Sequence, residues 1–186
     1  MKLLFLLPLF VLLQSCGEID PESIFACPDK ETFYGNTSSV TVGATQKISQ
    51  RMHMNGIVGT KIYSNKVTFQ MESSNLTAIK LDVYKGDTGS NDTGTLLGST
   101  TVTSGLGSSD TGTKIEFMLS SEIYFEVGNS YYFVLSPTGG SFTIPYVSPT
   151  KIAVSDINIF NGTSWTSSGF NNSNLSFEVD YNSCDK

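Results

Sequence analysis

Tyr131–Leu135 reads Tyr-Tyr-Phe-Val-Leu and lies one serine after the turn pair Gly128-Asn129. An unbroken apolar run of about five residues behind a turn signal is typical of a strand that is buried on both faces. Such a strand lies inside a sheet that is itself covered by another layer. The run therefore predicts a central strand, and the flanking sequence indicates what surrounds it.

Four further segments alternate between apolar and polar residues. Their apolar positions are Val67, Phe69 and Met71; Ile79, Leu81 and Val83; Ile115, Phe117 and Leu119; and Leu175, Phe177, Val179 and Tyr181. A period of two predicts strands with one buried face. Turn pairs separate the segments at Asn55-Gly56, Gly139-Gly140 and Asn161-Gly162, and no window has a helical period. The spacing predicts an all-β, jelly-roll-like two-sheet β-sandwich.

Composition limits the classes of function. The 186 residues carry 11 Lys and Arg against 17 Asp and Glu, a formal net charge of −6. Since 39% of the residues are hydrophobic, the chain suits one ordinary domain with a core. Sequence-independent nucleic-acid binding needs a basic surface, so we expect no nucleic-acid partner.

The N-terminus resembles a bacterial lipoprotein signal peptide. Leu3–Leu13 is apolar and too short to span a bilayer as a helix, which takes about 20 residues. The adjoining Leu13-Gln14-Ser15-Cys16 resembles a lipobox, which implies cleavage before Cys16, acylation of its thiol and a lipid anchor in the cell-envelope bilayer. The acidic residues that follow resemble those of surface-exported Bacteroidetes lipoproteins, which implies outer-membrane surface exposure. An ordinary signal peptide, with Cys16 a spare thiol, is the alternative.

These features divide the chain into a signal peptide (1–15), a lipidated cysteine with tether and lead-in (16–38) and a β-sandwich domain (39–186). Cys27 and Cys184 lie near the two ends of the mature chain. Such a pair usually oxidises outside the cytoplasm, so we expect a disulfide, with two free thiols as the alternative. One histidine and two distant cysteines do not form a zinc ligand set.

Four segments resemble, in the same order, those of the choice-of-anchor type, a family of secreted bacterial β-sandwich domains. They are Ile79–Tyr84, Gly128–Leu135, Asn161–Trp165 and Asn174–Val179, and the likeness spans residues 45–182. It implies a β-sandwich without catalytic residues and with a surface or carbohydrate-binding-like role. In this chain an acylated N-terminus would replace the C-terminal anchor of such domains.

Aromatic side chains are the candidate ligand contacts. Sugar rings stack their apolar faces on Trp and Tyr, while amides and carboxylates bind the hydroxyl groups. Trp165, the only Trp, precedes a polar loop that contains Phe170, and Tyr84 lies on the polar side of its strand. We therefore predict a glycan site at Trp165, Phe170 and Tyr84. The alternative, which the family resemblance favours, is that Trp165 packs across the end of the sandwich.

A polar loop offers oxygen ligands for one structural Ca²⁺. Asp87, Asn91 and Asp92 lie close together in sequence, and Ca²⁺ takes carboxylate and carbonyl oxygens in flexible geometry. The spacing does not fit an EF-hand, because Gly89 stands where a ligand is needed. A solvated turn without a metal ion is the alternative.

The sequence contains no convincing catalytic motif. Asp-Thr-Gly occurs at 87–89, 92–94 and 110–112, but none of these follows an apolar residue and the first two share one loop, unlike the facing pair of an aspartic protease. His53 has no Gly-x-Ser-x-Gly partner, and we expect it at the surface, opposite Met52 and Met54. We expect a non-catalytic envelope lipoprotein that binds glycan. The alternative is a structural or adhesive protein that contacts envelope proteins and binds no small ligand.

Overall fold

The computed structural model describes residues 29–55, 60–86, 91–106, 113–148, 156–167, 170 and 172–185. Within these ranges the chain is all-β, with fifteen strands and no helix. The strands are β1 (Lys30–Thr32), β2 (Ser38–Val42), β3 (Lys47–His53), β4 (Lys61–Met71), β5 (Ser73–Ser74), β6 (Ala78–Gly86), β7 (Thr95–Val102), β8 (Thr113–Glu126), β9 (Ser130–Thr138), β10 (Phe142–Val147), β11 (Ile157–Phe160), β12 (Trp165–Thr166), β13 (Asn174–Leu175), β14 (Phe177–Asp180) and β15 (Ser183–Asp185).

The strands form two layers. One of them, which we call the second layer, is a six-stranded antiparallel sheet in the order β12-β11-β3-β9-β6-β7. β9 lies inside this sheet, hydrogen-bonded to β3 on one side and β6 on the other. Each residue of Tyr131–Leu135 is at most 1% exposed. The predicted central strand, buried on both faces, is confirmed.

The first layer combines a five-stranded and a four-stranded sheet that share two bent strands. β4 continues past Glu72 into β5, and β13 continues past Ser176 into β14. Backbone hydrogen bonds bridge both bends, from Glu72 N to Thr143 O and from Ser176 N to Pro145 O, each at 2.9 Å. As a result β4 pairs with β8, β14 and β15, while β10 pairs with β5, β13 and β2.

The layers face each other across a core rich in phenylalanine. Phe133 of β9 lies 5.6 Å from Phe177 of β14 and 5.9 Å from Phe125 of β8, measured between ring centroids. Phe69 of β4 stacks on Phe177 at 5.5 Å. The apolar positions of the four alternating segments are all at most 8% exposed, as their period predicts.

Most connections cross from one layer to the other, which is the jelly-roll pattern. The links β3–β4, β5–β6, β7–β8, β8–β9, β9–β10 and β10–β11 all do so. Gly128 turns β8 into β9 with a φ of 92°, and Gly162 turns β11 into β12 with a φ of 97°. Both predicted turns are confirmed, since glycine takes positive φ without steric cost.

The two ends of the described chain lie side by side in the first layer. β1 pairs with β14, and Tyr181 N donates to Asp29 O at 2.8 Å. β15 pairs with β4 and carries Cys184, which is disulfide-bonded. Cys16 and Cys27 lie outside the described residues, so lipidation of the first and pairing of the second with Cys184 stay predictions. Within the described ranges no helix is long and apolar enough to cross a membrane.

Candidate functional site

Trp165 lies on the outer face of the second layer, in a row of side chains that crosses three strands. The hairpin turn at Asn161-Gly162 places Trp165 opposite Phe160, and Phe160 is opposite Lys47 of β3. The two aromatic rings are 5.5 Å apart and tilted by 49°. Lys47 Nζ lies 5.4 Å from the centroid of the Phe160 ring, within reach of a cation–π contact.

Asp92 comes from the opposite edge of the sheet and contacts two side chains of this row. It belongs to the segment between β6 and β7, yet its Oδ1 accepts a hydrogen bond from Trp165 Nε1 at 2.9 Å. Its Oδ2 accepts one from Lys47 Nζ at 3.1 Å. We call Trp165, Phe160, Lys47 and Asp92 the Trp165 cluster.

The charge of Asp92 is favoured by these two donors. Burial by itself would raise the pKa of the Asp92 carboxyl, but the hydrogen bonds from Trp165 and Lys47, together with the Lys47 charge, hold that pKa below its ordinary value of 3.8. The carboxylate is therefore ionised at neutral pH and forms an ion pair with the ammonium group of Lys47.

Tyr84 lies on the same outer face, on β6 and opposite Tyr132 of β9. Burial raises the pKa of its phenol, and the nearby carboxylates of Asp82 and Asp92 raise it further. Tyr84 therefore lies within electrostatic range of the carboxylate that binds Trp165. Opposite Tyr84 on β7, Leu96 is 51% exposed and extends the apolar surface at this end of the sheet.

The middle of this outer face is covered rather than open. Tyr132 and Val134 alternate with the core residues of β9, yet each is only 1% exposed. Ser49, next to Val134 on β3, is fully buried. The part of the Trp165 cluster that is open to solvent is therefore at the rim of the sheet, where Trp165 is partly exposed.

Phe170 does not join the cluster. Its ring meets the ring of Tyr146 at 5.4 Å with planes at 81°, and it packs against the core. Its backbone oxygen accepts from Ile157 N at 3.5 Å, so it lies at the seam where the layers approach each other. Of the three aromatic residues predicted from sequence, Trp165 binds Asp92, Tyr84 lies on the same outer face without a described contact to Trp165, and Phe170 lies elsewhere.

The described part of the predicted calcium loop offers one free oxygen. Asn91 is 6% exposed, and its Oδ1 has no hydrogen-bond partner among the described residues. Asp92, by contrast, binds Trp165 and Lys47 with its two oxygens, and an ammonium group at 3.1 Å opposes a cation there. Asp87 lies outside the described residues. Calcium binding stays a prediction, and of the described side chains Asn91 fits it better than Asp92.

His53 has a neighbour that sequence reasoning did not foresee. Met52 and Met54 are buried, and His53 points to the opposite face as expected. There its Nδ1 lies 3.1 Å from Ser130 Oγ, which also accepts from Arg51 Nη2 at 3.2 Å. Pairing of His53 with Ser130 across β3 and β9 places the two side chains together.

Two members of the Trp165 cluster were missed by sequence analysis. Phe160 had a detectable signal, because the Asn161-Gly162 turn places it opposite Trp165 in a hairpin. Lys47 had none, since its contact with Asp92 joins residues 45 positions apart.

Comparison with known proteins gives a similar fold and no family. No protein-family model matches the chain, and no curated protein matches it. A solved structure of the cysteine protease and lectin-like domains of Cwp84, a surface-layer-associated protein of Clostridium difficile, is similar with a TM-score of 0.54 at 13% identity.

That match covers 82% of this chain and 36% of the Cwp84 chain, and it falls on the lectin-like domain. At this identity the likeness shows the fold alone. It supports the β-sandwich architecture derived above.

Proposed function

We propose that this chain is a non-catalytic cell-envelope lipoprotein whose sandwich binds glycan at the Trp165 cluster. The observation that carries the proposal is the contact of Asp92 with both Trp165 and Lys47. It fixes an aromatic ring, a carboxylate and an ammonium group side by side at the rim of a sheet.

This arrangement has the chemistry that a sugar requires. The partly exposed faces of Trp165 and Tyr84 offer stacking surfaces for an apolar sugar face. Asp92 accepts hydrogen bonds from Trp165, Lys47 and a backbone N–H, and a carboxylate has about four acceptor positions, so it can accept a further bond from a sugar hydroxyl. The lectin-like domain of Cwp84 shares the fold and so supports the proposal by analogy.

We propose that the chain is not an enzyme, because the neighbours of the Ser130–His53 pair do not suit catalysis. Ser130 is 7% exposed, which hides its hydroxyl from a substrate. Asp156, the carboxylate nearby, pairs with Arg51 at 3.5 Å instead of orienting the imidazole. The Arg51 guanidinium donates to the same Ser130 hydroxyl at 3.2 Å and so occupies one of its acceptor positions.

Envelope anchoring through Cys16, with exposure at the outer-membrane surface, is proposed from the lipobox resemblance. β1 begins at Lys30 on the first layer, inside the predicted tether and lead-in (16–38), so the described fold begins within the segment that would follow the lipid. The surface-layer association of Cwp84 supports a position at the cell surface by analogy.

A structural or adhesive role is the second candidate. It is favoured by Phe170, which packs against the core beside Tyr146 instead of lining a ligand site. In that case the Asp92 contacts would fasten the segment before β7 to the sheet, and the protein would contact other envelope proteins without a small ligand.

A glycan-array screen tests the proposal. The full chain, produced with its leader and solubilised in mild detergent, is applied with and without EDTA. We expect at least one glycan to bind, Trp165→Ala to abolish the signal and Trp165→Phe to retain part of it through stacking. Loss of binding in EDTA would support a calcium ion near Asn91.

Met118→Ala is the matched control, since Met118 is 51% exposed on the other layer. Circular dichroism establishes that each variant is folded. Full binding by folded Trp165→Ala would contradict the Trp165 cluster as the site. No binding by the folded wild type to any arrayed glycan would contradict glycan recognition and favour the structural role.

A further inference from the structure

A second group of aromatic and polar side chains lies on the outer face of the first layer. Tyr63 of β4 and Tyr124 of β8 are directly opposite each other, with ring centroids 6.2 Å apart and planes tilted by 50°. Their neighbours Ile62, Ile123 and Phe125 point into the core. Tyr124 is 42% exposed, one of the few large apolar side chains on the described surface to be so open.

Hydrogen bonds hold the rim of this pair in place. Tyr63 donates its hydroxyl to Asp185 Oδ2 at 2.7 Å. Asn182 Nδ2 donates to Glu122 Oε1 at 2.7 Å and to Asn65 Oδ1 at 3.2 Å, and Asn182 N donates to Tyr63 O at 2.8 Å. The tyrosine patch, as we call it, consists of Tyr63, Tyr124, Asn65, Glu122, Asn182 and Asp185.

The rim retains capacity for a ligand. The described contacts use one oxygen of Glu122 and one of Asp185, and both residues are exposed. Two acceptors therefore remain beside the rings, and the amide of Asn65 adds a donor. Planar acceptors and donors around an exposed aromatic face are what pyranose hydroxyls bind.

The charge of the patch selects among sugars. Glu122 and Asp185 contribute two negative charges, whereas Lys61, whose Nζ lies 5.1 Å from the Tyr124 ring, contributes one positive charge. Glu126 is neutralised by Lys85 at 2.9 Å. The excess negative charge disfavours uronic and sialic acids and is compatible with neutral sugars.

We infer that the tyrosine patch is a second saccharide site, selective for neutral sugars and separate from the Trp165 cluster on the opposite outer face. The exposed cation–π contact of Lys61 is weak enough for a sugar ring to replace it on Tyr124. A chain with sites on both faces can engage two segments of one polysaccharide, or two polysaccharide chains.

The experiment measures binding isotherms of the full chain in mild detergent with three neutral polysaccharides (laminarin, mannan and soluble starch) and one anionic polysaccharide, hyaluronan. We expect Tyr124→Ala to lower the affinity for at least one neutral polysaccharide by about fivefold to tenfold, the loss of one stacking contact. Met118→Ala, exposed on the same strand, should bind like the wild type. Hyaluronan should bind more weakly than the neutral polysaccharides.

Trp165→Ala separates this inference from the proposed function. A loss in Tyr124→Ala with none in Trp165→Ala would support the tyrosine patch and contradict the Trp165 cluster. Unchanged binding of all three neutral polysaccharides by folded Tyr124→Ala would overturn the tyrosine patch and leave the proposed function intact. Hyaluronan binding as tight as that of the neutral polysaccharides would overturn its selectivity.

Discussion

At the scale of single residues, Asp92 organises the Trp165 cluster. It accepts from an indole N–H and from an ammonium group, and charged hydrogen bonds of this kind are stronger than neutral ones. Trp165 is the only Trp in the chain, so its fluorescence reports the protonation of one carboxyl. This makes the contact testable in solution.

We expect the emission of Trp165 to stay constant above pH 4 and to change as the pH falls below the ordinary Asp pKa of 3.8. Because the folded-state pKa of Asp92 is lowered, its stabilising contribution is present above the unfolded-state pKa and is lost as the pH falls through the folded-state pKa. Fluorescence titration with parallel circular dichroism measures the change while the fold persists.

Asp92→Asn is the matched control for this titration. The variant keeps an oxygen for the indole but loses the charge, so its emission should not change over the same acid range. An acid transition of the same midpoint in Asp92→Asn would assign the signal to another group. A fluorescence change that coincides with loss of the β signal would report global unfolding instead.

At the scale of strands, local sequence patterns predicted which strands are buried. They did not predict the contacts between segments that are distant in the sequence. The run Tyr131–Leu135 and the alternation at Val67–Met71 predicted buried strands because burial of a strand depends on its own side-chain period. The contact of Asp92 with Trp165 joins residues 73 positions apart and leaves no local pattern.

The tyrosine patch shows the same limit. Its geometry depends on the register of β4 against β8, which shifts between Ser64 and Lys66. A one-residue slip moves every side chain to the other face, and a bulge produces such a slip locally. Sequence alternation alone therefore could not place Tyr63 opposite Tyr124.

β9 provides the test of the core. Phe133 is fully buried. It lies between two rings of the first layer, Phe125 on β8 and Phe177 on β14. We expect Phe133→Ala to lower the free energy of unfolding by about 3–5 kcal/mol, through lost burial and the cavity left behind. Urea denaturation followed by circular dichroism measures it.

Leu96→Ala serves as the comparison, because Leu96 is 51% exposed on an edge strand of the same sheet. Its effect should stay within about 0.5 kcal/mol. Equal losses for the two variants would contradict the layer assignment. If only Phe133→Ala lacks a cooperative unfolding transition, the layer assignment is supported, because the expected loss of unfolding free energy is then complete.

At the scale of the molecule, both chain ends lie on the first layer, and this bears on the predicted disulfide. Lys30 is opposite Asp180, and Tyr181 N donates to Asp29 O. Cys184 lies on β15 of the same layer, and Cys27 precedes Lys30 by three positions in the sequence, so we expect a bond between the two cysteines. A bond there would fix the start of the lipid tether to β15.

We therefore expect non-reducing peptide mapping of the full chain to yield one cross-linked peptide, joining Cys27 to Cys184, with Cys16 acylated. Reduction, or Cys184→Ser, should lower the free energy of unfolding by about 2–5 kcal/mol, since the bond closes nearly the whole domain into one loop. Cys16→Ser tests the assignment: it should remove the lipid without changing the cross-link. A peptide joining Cys16 to Cys184, or two thiols open to alkylation in the native chain, would contradict the pairing.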